Sequence, residues 1–177
     1  MYINKENNTY RNRGMFLENL INTSNKFYLI NNIGVIYKKP TPIQVIKLNN
    51  KNKIIEAYFK EASTSDYNGL YKKKYIDFEA KSTTNKSSFP LSNYTKNELN
   101  HLYKIEELGG ISFTIIYFKS LDLFFLYEIR KMKEYLKINK RNSITLNEIK
   151  KNGYLINQKL NIPLDYLEII DKIISSY

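Results

Sequence analysis

Apolar residues recur with two different periods along this chain, and the alternation of those periods predicts its secondary structure. From Arg13 onward they follow helical spacing, at Phe16, Leu17, Leu20 and Ile21. Further helical patterns cover 95–108, 145–151 and a segment that begins at Pro163, while apolar runs of strand length cover 33–37, 75–81, 111–118 and 123–127. Because strands interleave with helices, the pattern predicts an α/β fold with a mixed central sheet.

Two further strand candidates lie between residues 43 and 60. The preceding segment, Lys-Lys-Pro-Thr-Pro at 38–42, ends a strand because proline cannot donate to a strand ladder. The runs Ile43–Leu48 and Ile54–Phe59 follow, separated by the polar turn Asn-Asn-Lys-Asn-Lys at 49–53. They are predicted to form a hairpin with a basic tip, which is either a solvated turn or a finger that touches DNA.

Composition narrows the class of protein. The chain has 177 residues, enough for one domain with a genuine core, and we assign residues 13–177 to that domain after a flexible polar arm at 1–12. The net charge is +11, from 28 basic and 17 acidic residues, which favours a polyanionic partner such as nucleic acid or a lipid surface. The alternative is a basic protein whose lysines reflect an A/T-rich genome.

Two absences exclude other classes of protein. The chain has no cysteine, so disulfides and thiolate metal sites are excluded. No apolar run approaches the ~20 residues that span a bilayer, and the polar N-terminus lacks the apolar core of a signal peptide. A cytoplasmic protein that does not enter a membrane is therefore expected.

The candidate chemistry is a carboxylate pair with a nearby lysine. Asp66 precedes Glu79 by thirteen positions, and Lys81 follows Glu79 by two. On a strand, Glu79 and Lys81 share one face, and Asp66 would arrive from a turn. Two acids bind a hard divalent cation and a lysine adds positive charge beside an attacked phosphate, as in metal-dependent nucleases. The spacing also occurs by chance in lysine-rich proteins, but here Glu79 follows Ile76 and Phe78 in a predicted strand rather than a loop.

Seven stretches, spread over nearly the whole chain, resemble RecU-type Holliday junction resolvases in order and spacing. They read Asn-Arg-Gly-Met at 12–15 with Leu17 and Glu18, Lys-Lys-Pro-Thr-Pro-Ile-Gln at 38–44, Glu-Ala-Tyr-Phe at 56–59, Ser-Thr-Ser-Asp-Tyr-Asn-Gly at 63–69, Asp-Phe-Glu-Ala-Lys at 77–81, Ser-Phe-Pro-Leu at 88–91 and Gly-Gly-Ile at 109–111. The resemblance implies a restriction-endonuclease-like α/β core and a homodimer that binds four-way DNA junctions. Such enzymes nick two strands symmetrically during recombination and repair, using Mg²⁺, with Mn²⁺ as an alternative.

The resemblance also implies roles for individual residues. By motif match, Thr64, Asp66 and Glu79 are metal-site positions and Lys81 stabilises the transition state. Glu98 stands where the family usually has a glutamine at the metal site, so the chain departs from the pattern there. Glu18, which would otherwise be interpreted as solvent-facing, falls in a motif close to the active site. The hairpin at 43–60 matches the family's projecting stalk, and a recombinase or branch-migration helicase is a usual partner.

Eight residues are candidate DNA contacts, each weighed against an idle surface position. The candidates are Arg11 and Arg13 near the N-terminus, Lys51 and Lys53 at the hairpin tip, Tyr67 beside Asp66, and the turn residues Lys72, Lys73 and Lys74. His101, the single histidine, is interpreted as a surface or helix-packing residue. Three alternatives to a junction-resolving enzyme stay open: a catalytically weakened junction-binding protein, a nuclease of the same core that acts on flap or duplex DNA, and a structural basic protein.

Overall fold

Five α-helices and ten strands make up the fold in a computed structural model that describes residues 7–60 and 64–176, and the side chains of 7–14 lie outside that description. The helices are α1 (Asn7–Ile30), α2 (Lys96–Glu107), α3 (Ile129–Asn139), α4 (Leu146–Asn152) and α5 (Tyr166–Ile174). The strands are β1 (Val35–Lys38), β2 (Ile43–Leu48), β3 (Ile54–Phe59), β4 (Tyr67–Tyr71), β5 (Lys74–Thr83), β6 (Ser88–Pro90), β7 (Ile111–Phe118), β8 (Leu123–Glu128), β9 (Ser143–Thr145) and β10 (Tyr154–Leu155).

The centre of the fold is a six-stranded sheet in the order β1-β4-β5-β7-β8-β10. Only the pair β5 and β7 is parallel within this sheet, and its other neighbours are antiparallel. Strand β7 is buried along almost its whole length and β5 is buried from Ile76 to Glu79, which suits strands covered on both faces by helices. The predicted α/β fold with a mixed central sheet flanked by helices is therefore confirmed.

Each face of the sheet carries its own apolar core. One core joins α1 and α5 to the face that includes Phe78 of β5 and Phe113 of β7. The other joins α2, α3 and α4 to the opposite face, with Ile116 and Phe118 of β7. Because side chains alternate along a strand, the residues of β5 on either side of Phe78 face α2 rather than α1.

Several boundaries differ from the predicted ones. Helix α1 begins at Asn7 rather than near Arg13, so the predicted arm is helical from that residue, and its residues 1–6 lie outside the described ones. Helix α5 begins at Tyr166 and not at Pro163. Neither α1 nor any other helix in the described ranges is long and apolar enough to cross a membrane.

Strand β4 was not predicted, because its Asn-Gly pair is typical of a turn. Asn68 and Gly69 instead pair with β5, and the turn lies at Lys72 and Lys73, which both have positive φ. A Cβ atom on Gly69 would lie 2.1 Å from the carbonyl oxygen of Val35 in β1. The glycine is therefore required by the close approach of β1 and not by a turn.

The predicted stalk (residues 43–60) is a hairpin of β2 and β3 that forms a two-stranded sheet of its own. Every residue of β3 is exposed, and most of β2 is as well. At the tip, the side-chain oxygen of Asn49 accepts hydrogen bonds from the backbone N–H groups of Lys51 and Lys53, both at 2.9 Å. Asn52 adopts the left-handed conformation that closes the turn.

Candidate active site

Strand β5 presents three charged residues, Asp77, Glu79 and Lys81, on the face that packs against α2. Its antiparallel partner β4 begins at Tyr67, opposite Phe78, so the β5 backbone beyond Phe78 has no β4 neighbour. The backbone N–H of Ala80 donates instead to the Asp66 carboxylate, at 3.0 Å from Oδ2. This hydrogen bond brings Asp66 to the part of β5 that carries Glu79.

Glu79 is fully buried, with 0% of its surface exposed. Burial and the negative charge of nearby Asp66 raise the pKa of Glu79 to about 9, although the Lys81 ammonium acts in the opposite direction. Its Oε2 lies 2.9 Å from the Nζ of Lys81, while Oε1 has no hydrogen-bond partner among the described residues. A buried carboxylate with an unpartnered oxygen beside a second carboxylate offers the oxygen donors through which a hard divalent cation can bind.

Lys81 is held between two carboxylates. Its Nζ lies 3.1 Å from Oε1 of Glu98 in α2 and 2.9 Å from Glu79, and it faces the ring of Tyr94. Burial lowers the pKa of Lys81, but the two carboxylates more than offset this effect, so the net shift is upward. The lysine is thus a cation at neutral pH.

Glu98 is brought to the site by a capping box at the start of α2. Its Oε2 accepts from the backbone N–H of Thr95 at 2.7 Å, and the Thr95 hydroxyl accepts from the Glu98 N–H at 3.2 Å. Both oxygens of Glu98 therefore have partners within the chain. Its predicted role as a metal ligand stays a prediction.

The structure brings together only part of the predicted metal set. Within residues 7–60 and 64–176, no three or more acidic, histidine or cysteine side chains are arranged to hold a metal ion. What converges is the carboxylate pair of Asp66 and Glu79, with Lys81 beside it. The hydroxyl of Thr64, in the segment before Asp66, lies 3.3 Å from the Nζ of Lys39.

Three residues beside this pair received no functional role from the sequence. Lys39 and His101 both contact the carboxylate of Asp77, at 2.9 Å and 3.0 Å respectively. Asp77 precedes Glu79 by two residues on the same strand face, and that spacing is the signal that could have revealed it. No spacing rule connects Lys39 or His101 to β5.

Glu18 lies in α1 at the edge of this region. Its carboxylate is paired with Lys38 at 2.5 Å, and its backbone carbonyl lies 3.5 Å from the hydroxyl of Tyr67. No described contact joins its side chain to Asp66 or Glu79. Its catalytic role therefore stays a prediction.

The predicted DNA contact of Tyr67 is wrong. The ring is fully buried and stacks on Phe78, with centroids 4.9 Å apart, and its hydroxyl donates to Asn22 at 3.0 Å. Burial and the nearby charges of Glu18 and Asp66 raise its pKa. Adjacent residues of an extended segment point to opposite sides, so Tyr67 enters the core because Asp66 faces the site.

The basic turn at 72–74, a candidate DNA contact, does not lie beside the carboxylate pair. Lys74 begins β5, and the five-residue rise to Glu79 separates them by roughly 16 Å along the strand. Lys72 pairs with Asp171 of α5 at 2.6 Å. Any DNA contact of this turn would therefore occur far from the cleaved bond.

Four candidate DNA contacts remain, two at the stalk tip and two near the N-terminus. Lys51 and Lys53 lie exposed at the stalk tip, as a DNA contact requires. The side chains of Arg11 and Arg13 lie outside the described residues.

Comparison with known proteins identifies the family. The family model described as RecU, Recombination protein U, matches residues 12–172. The chain belongs to the RecU family. A curated RecU relative from Pediococcus pentosaceus, named Holliday junction resolvase RecU, is 44% identical over 174 residues, which cover 94% of this chain and 87% of the relative. The RecU of Staphylococcus aureus is 47% identical over 172 residues, covering 93% of this chain and 83% of that protein.

The chain also resembles solved structures. The Archaeoglobus fulgidus protein Hjc, titled a Holliday junction resolvase, matches with a TM-score of 0.49 at 10% identity, covering 80% of this chain and 95% of that one.

Proposed function

We propose that this RecU-family chain is a divalent-metal-dependent endonuclease that resolves four-way DNA junctions in recombination and repair. The observation that carries the proposal is the fully buried Glu79, which has one unpartnered oxygen and lies beside Asp66 and the ammonium of Lys81. The curated relatives named Holliday junction resolvase RecU support the choice of a junction as substrate.

Asp66 and Glu79 would hold the cation, with Thr64 and Glu98 as further oxygen donors. Magnesium suits this set because it prefers oxygen ligands and is bound through one or two carboxylates. A divalent cation supplies a more acidic water and offsets charge on phosphate oxygens. The Ala80 N–H fixes the Asp66 carboxylate, and Lys81 places a positive charge where the phosphate gains negative charge.

Basic residues would supply affinity for the DNA backbone, because lysine contacts release counterions from phosphates. The stalk tip, with Lys51 and Lys53 exposed, would enter the junction and supply selectivity for its shape. A homodimer would match the near-twofold symmetry of a four-way junction and let each protomer nick one strand. A recombinase or branch-migration helicase would be a partner of the assembled complex.

One experiment tests the function. Purified protein is incubated with end-labelled four-way junction, flap and linear duplex DNA, with Mg²⁺ or with EDTA, and the nicks are mapped. We expect paired, symmetric nicks in the junction only when Mg²⁺ is present, and none from Asp66→Asn. Equal cutting of flap or duplex would favour a different nuclease, and binding without cutting would favour a weakened junction-binding protein.

A further inference from the structure

Lys39 is a largely buried lysine, with 17% of its side chain exposed, at the residue that follows β1. Its Nζ contacts four polar groups from three parts of the chain. These are Ser65 Oγ at 2.5 Å, Asp77 Oδ2 at 2.9 Å, Thr64 Oγ1 at 3.3 Å and His101 Nε2 at 3.4 Å. An ammonium has three N–H donors, so this environment leaves none for a DNA phosphate.

The backbone of Lys39 contacts the same segment as its side chain. Its N–H donates to the carbonyl oxygen of Asp66 at 2.8 Å. Residues 64–66 are therefore attached to Lys39 at both ends: by hydroxyls at 64 and 65 and by a carbonyl at 66. Beyond these attachments, the Asp66 carboxylate reaches the N–H of Ala80.

Asp77 is the buried carboxylate that forms an ion pair with Lys39. Its carboxylate is fully buried, and Oδ2 also lies 3.0 Å from the Tyr75 hydroxyl and 3.0 Å from His101 Nε2. A buried carboxylate is costly unless a charge compensates it, so Asp77 retains Lys39 in place. The network joins β1, the 64–66 segment, β5 and α2 immediately beside the carboxylate pair.

We propose that Lys39 is a positioning residue of the active site: its ammonium holds residues 64–66 against Asp77, so that the Asp66 carboxylate meets Glu79. The inference deepens the proposed function and rests on it for its consequence in cleavage. Its structural part, the placement of Asp66, is tested without DNA or metal.

The direct readout is hydrogen exchange of the Ala80 amide, which reports whether the Asp66 carboxylate still reaches β5. In metal-free protein we expect Lys39→Met to exchange this amide about tenfold faster than wild type, the equivalent of removing one charge-assisted hydrogen bond. Lys133→Met is the matched control, because Lys133 pairs with Glu107 at 2.8 Å on the exposed surface. It should leave Ala80 exchange unchanged.

A second variant separates positioning from folding. Lys39→Met leaves Asp77 buried with less compensation and should lower the melting temperature. Lys39→Met combined with Asp77→Asn removes that charge and should restore much of the melting temperature, while Ala80 still exchanges rapidly. An Ala80 amide that stays protected in the folded double variant would overturn the proposal.

Kinetics distinguish positioning from a direct DNA contact. We expect Lys39→Met to bind the junction in EDTA within about twofold of wild type, yet to cleave it at least tenfold more slowly and to need more Mg²⁺ for half-maximal rate. Weaker binding with a salt slope reduced by about one would instead show a phosphate contact and overturn the proposal. If wild type cuts no DNA, the proposed function fails, while the Ala80 measurement still decides the role of Lys39.

Discussion

Strand β5 buries charged side chains, whereas the stalk exposes apolar ones. On β5, Asp77 and Glu79 are fully buried. On the stalk, Phe59 is 75% exposed. The other exposed large apolar side chains of the stalk are Ile43, Ile46, Leu48, Ile54, Ile55 and Tyr58. Both regions depart from the placement that folding alone favours. Under the proposed function the two departures have different causes: the buried charges of β5 would bind a cation, and the exposed apolar side chains of the stalk would contact a partner surface.

Substitution of the buried carboxylate Glu79 should reduce activity most strongly. Glu79→Gln should reduce junction cleavage by about 10³-fold or more, because it removes a charge at the site of the metal and the attacked phosphate. Junction binding measured in EDTA should be unchanged. Nicking at a wild-type rate in Mg²⁺ would remove Glu79 from the mechanism and leave β5 without the function assigned to it.

The same carboxylate should make the metal-free protein sensitive to pH. The pKa of Glu79 is about 9 in the folded chain and 4.5 ordinarily, so the folded state binds an extra proton between those values. The stability that this proton contributes is complete below pH 4.5, falls as pH rises, and is lost above pH 9. In EDTA, the free energy of unfolding should therefore fall by up to ~1.4 kcal/mol per pH unit between about pH 6 and 8.

Glu79→Gln supplies the control for that slope. The variant carries no titrating group at this position, so its free energy of unfolding should depend less on pH and exceed that of wild type at about pH 8. Denaturant unfolding at several pH values measures both curves. Identical slopes for the two proteins would show that folding does not raise the pKa of Glu79.

At the stalk, we expect substitutions to change DNA binding and to leave the stability of the fold almost unchanged. Lys51→Ala combined with Lys53→Ala should reduce the preference for a junction over linear duplex and lower the salt slope of binding by about two, one for each phosphate that a lysine no longer neutralises. Stability should change by less than about 0.5 kcal/mol, because both residues are exposed. Binding titrations at several salt concentrations measure the slope. An unchanged junction preference would show that the tip does not enter the junction.

The smallest effect is expected at Glu98. Glu98→Gln keeps the capping box, because glutamine also accepts from the Thr95 N–H, but it removes the charge that pairs with Lys81. We expect stability to change by less than about 0.5 kcal/mol and the Mg²⁺ concentration for half-maximal cleavage to rise by less than about tenfold. A cleavage rate that increases strongly would show instead that the Glu98 pairing restrains Lys81.

The sequence was most informative where a role depends on neighbours along the chain. Alternation along one strand was enough to place Glu79 and Lys81 on a common face, and proline with a polar turn was enough to predict the stalk. The same rule, applied to Tyr67 beside Asp66, would have predicted its burial. Asn68 and Gly69 were wrongly predicted to form a turn. Glycine is needed there because β1, which is distant in sequence, packs closely against it.

The network around Asp77 could not be predicted for the same physical reason. Lys39 and Asp77 are 38 residues apart, and His101 and Asp77 are 24 apart. Their contacts exist only after β1, β5 and α2 have packed together. The periodicity of apolar residues within one element gives no information about contacts among three elements.

Because the stalk forms a sheet of its own, it should unfold locally before the rest of the molecule. Within residues 7–60 and 64–176 the stalk has no third strand and no covering helix, and such a two-stranded hairpin is at best marginally stable in water. We expect its backbone to open far more often than the central sheet, so a protease added in small amounts should cut first between residues 43 and 60. Bound junction DNA should slow that cut. The lifetime of the intact chain under proteolysis would then measure directly how much of the stalk is bound to DNA.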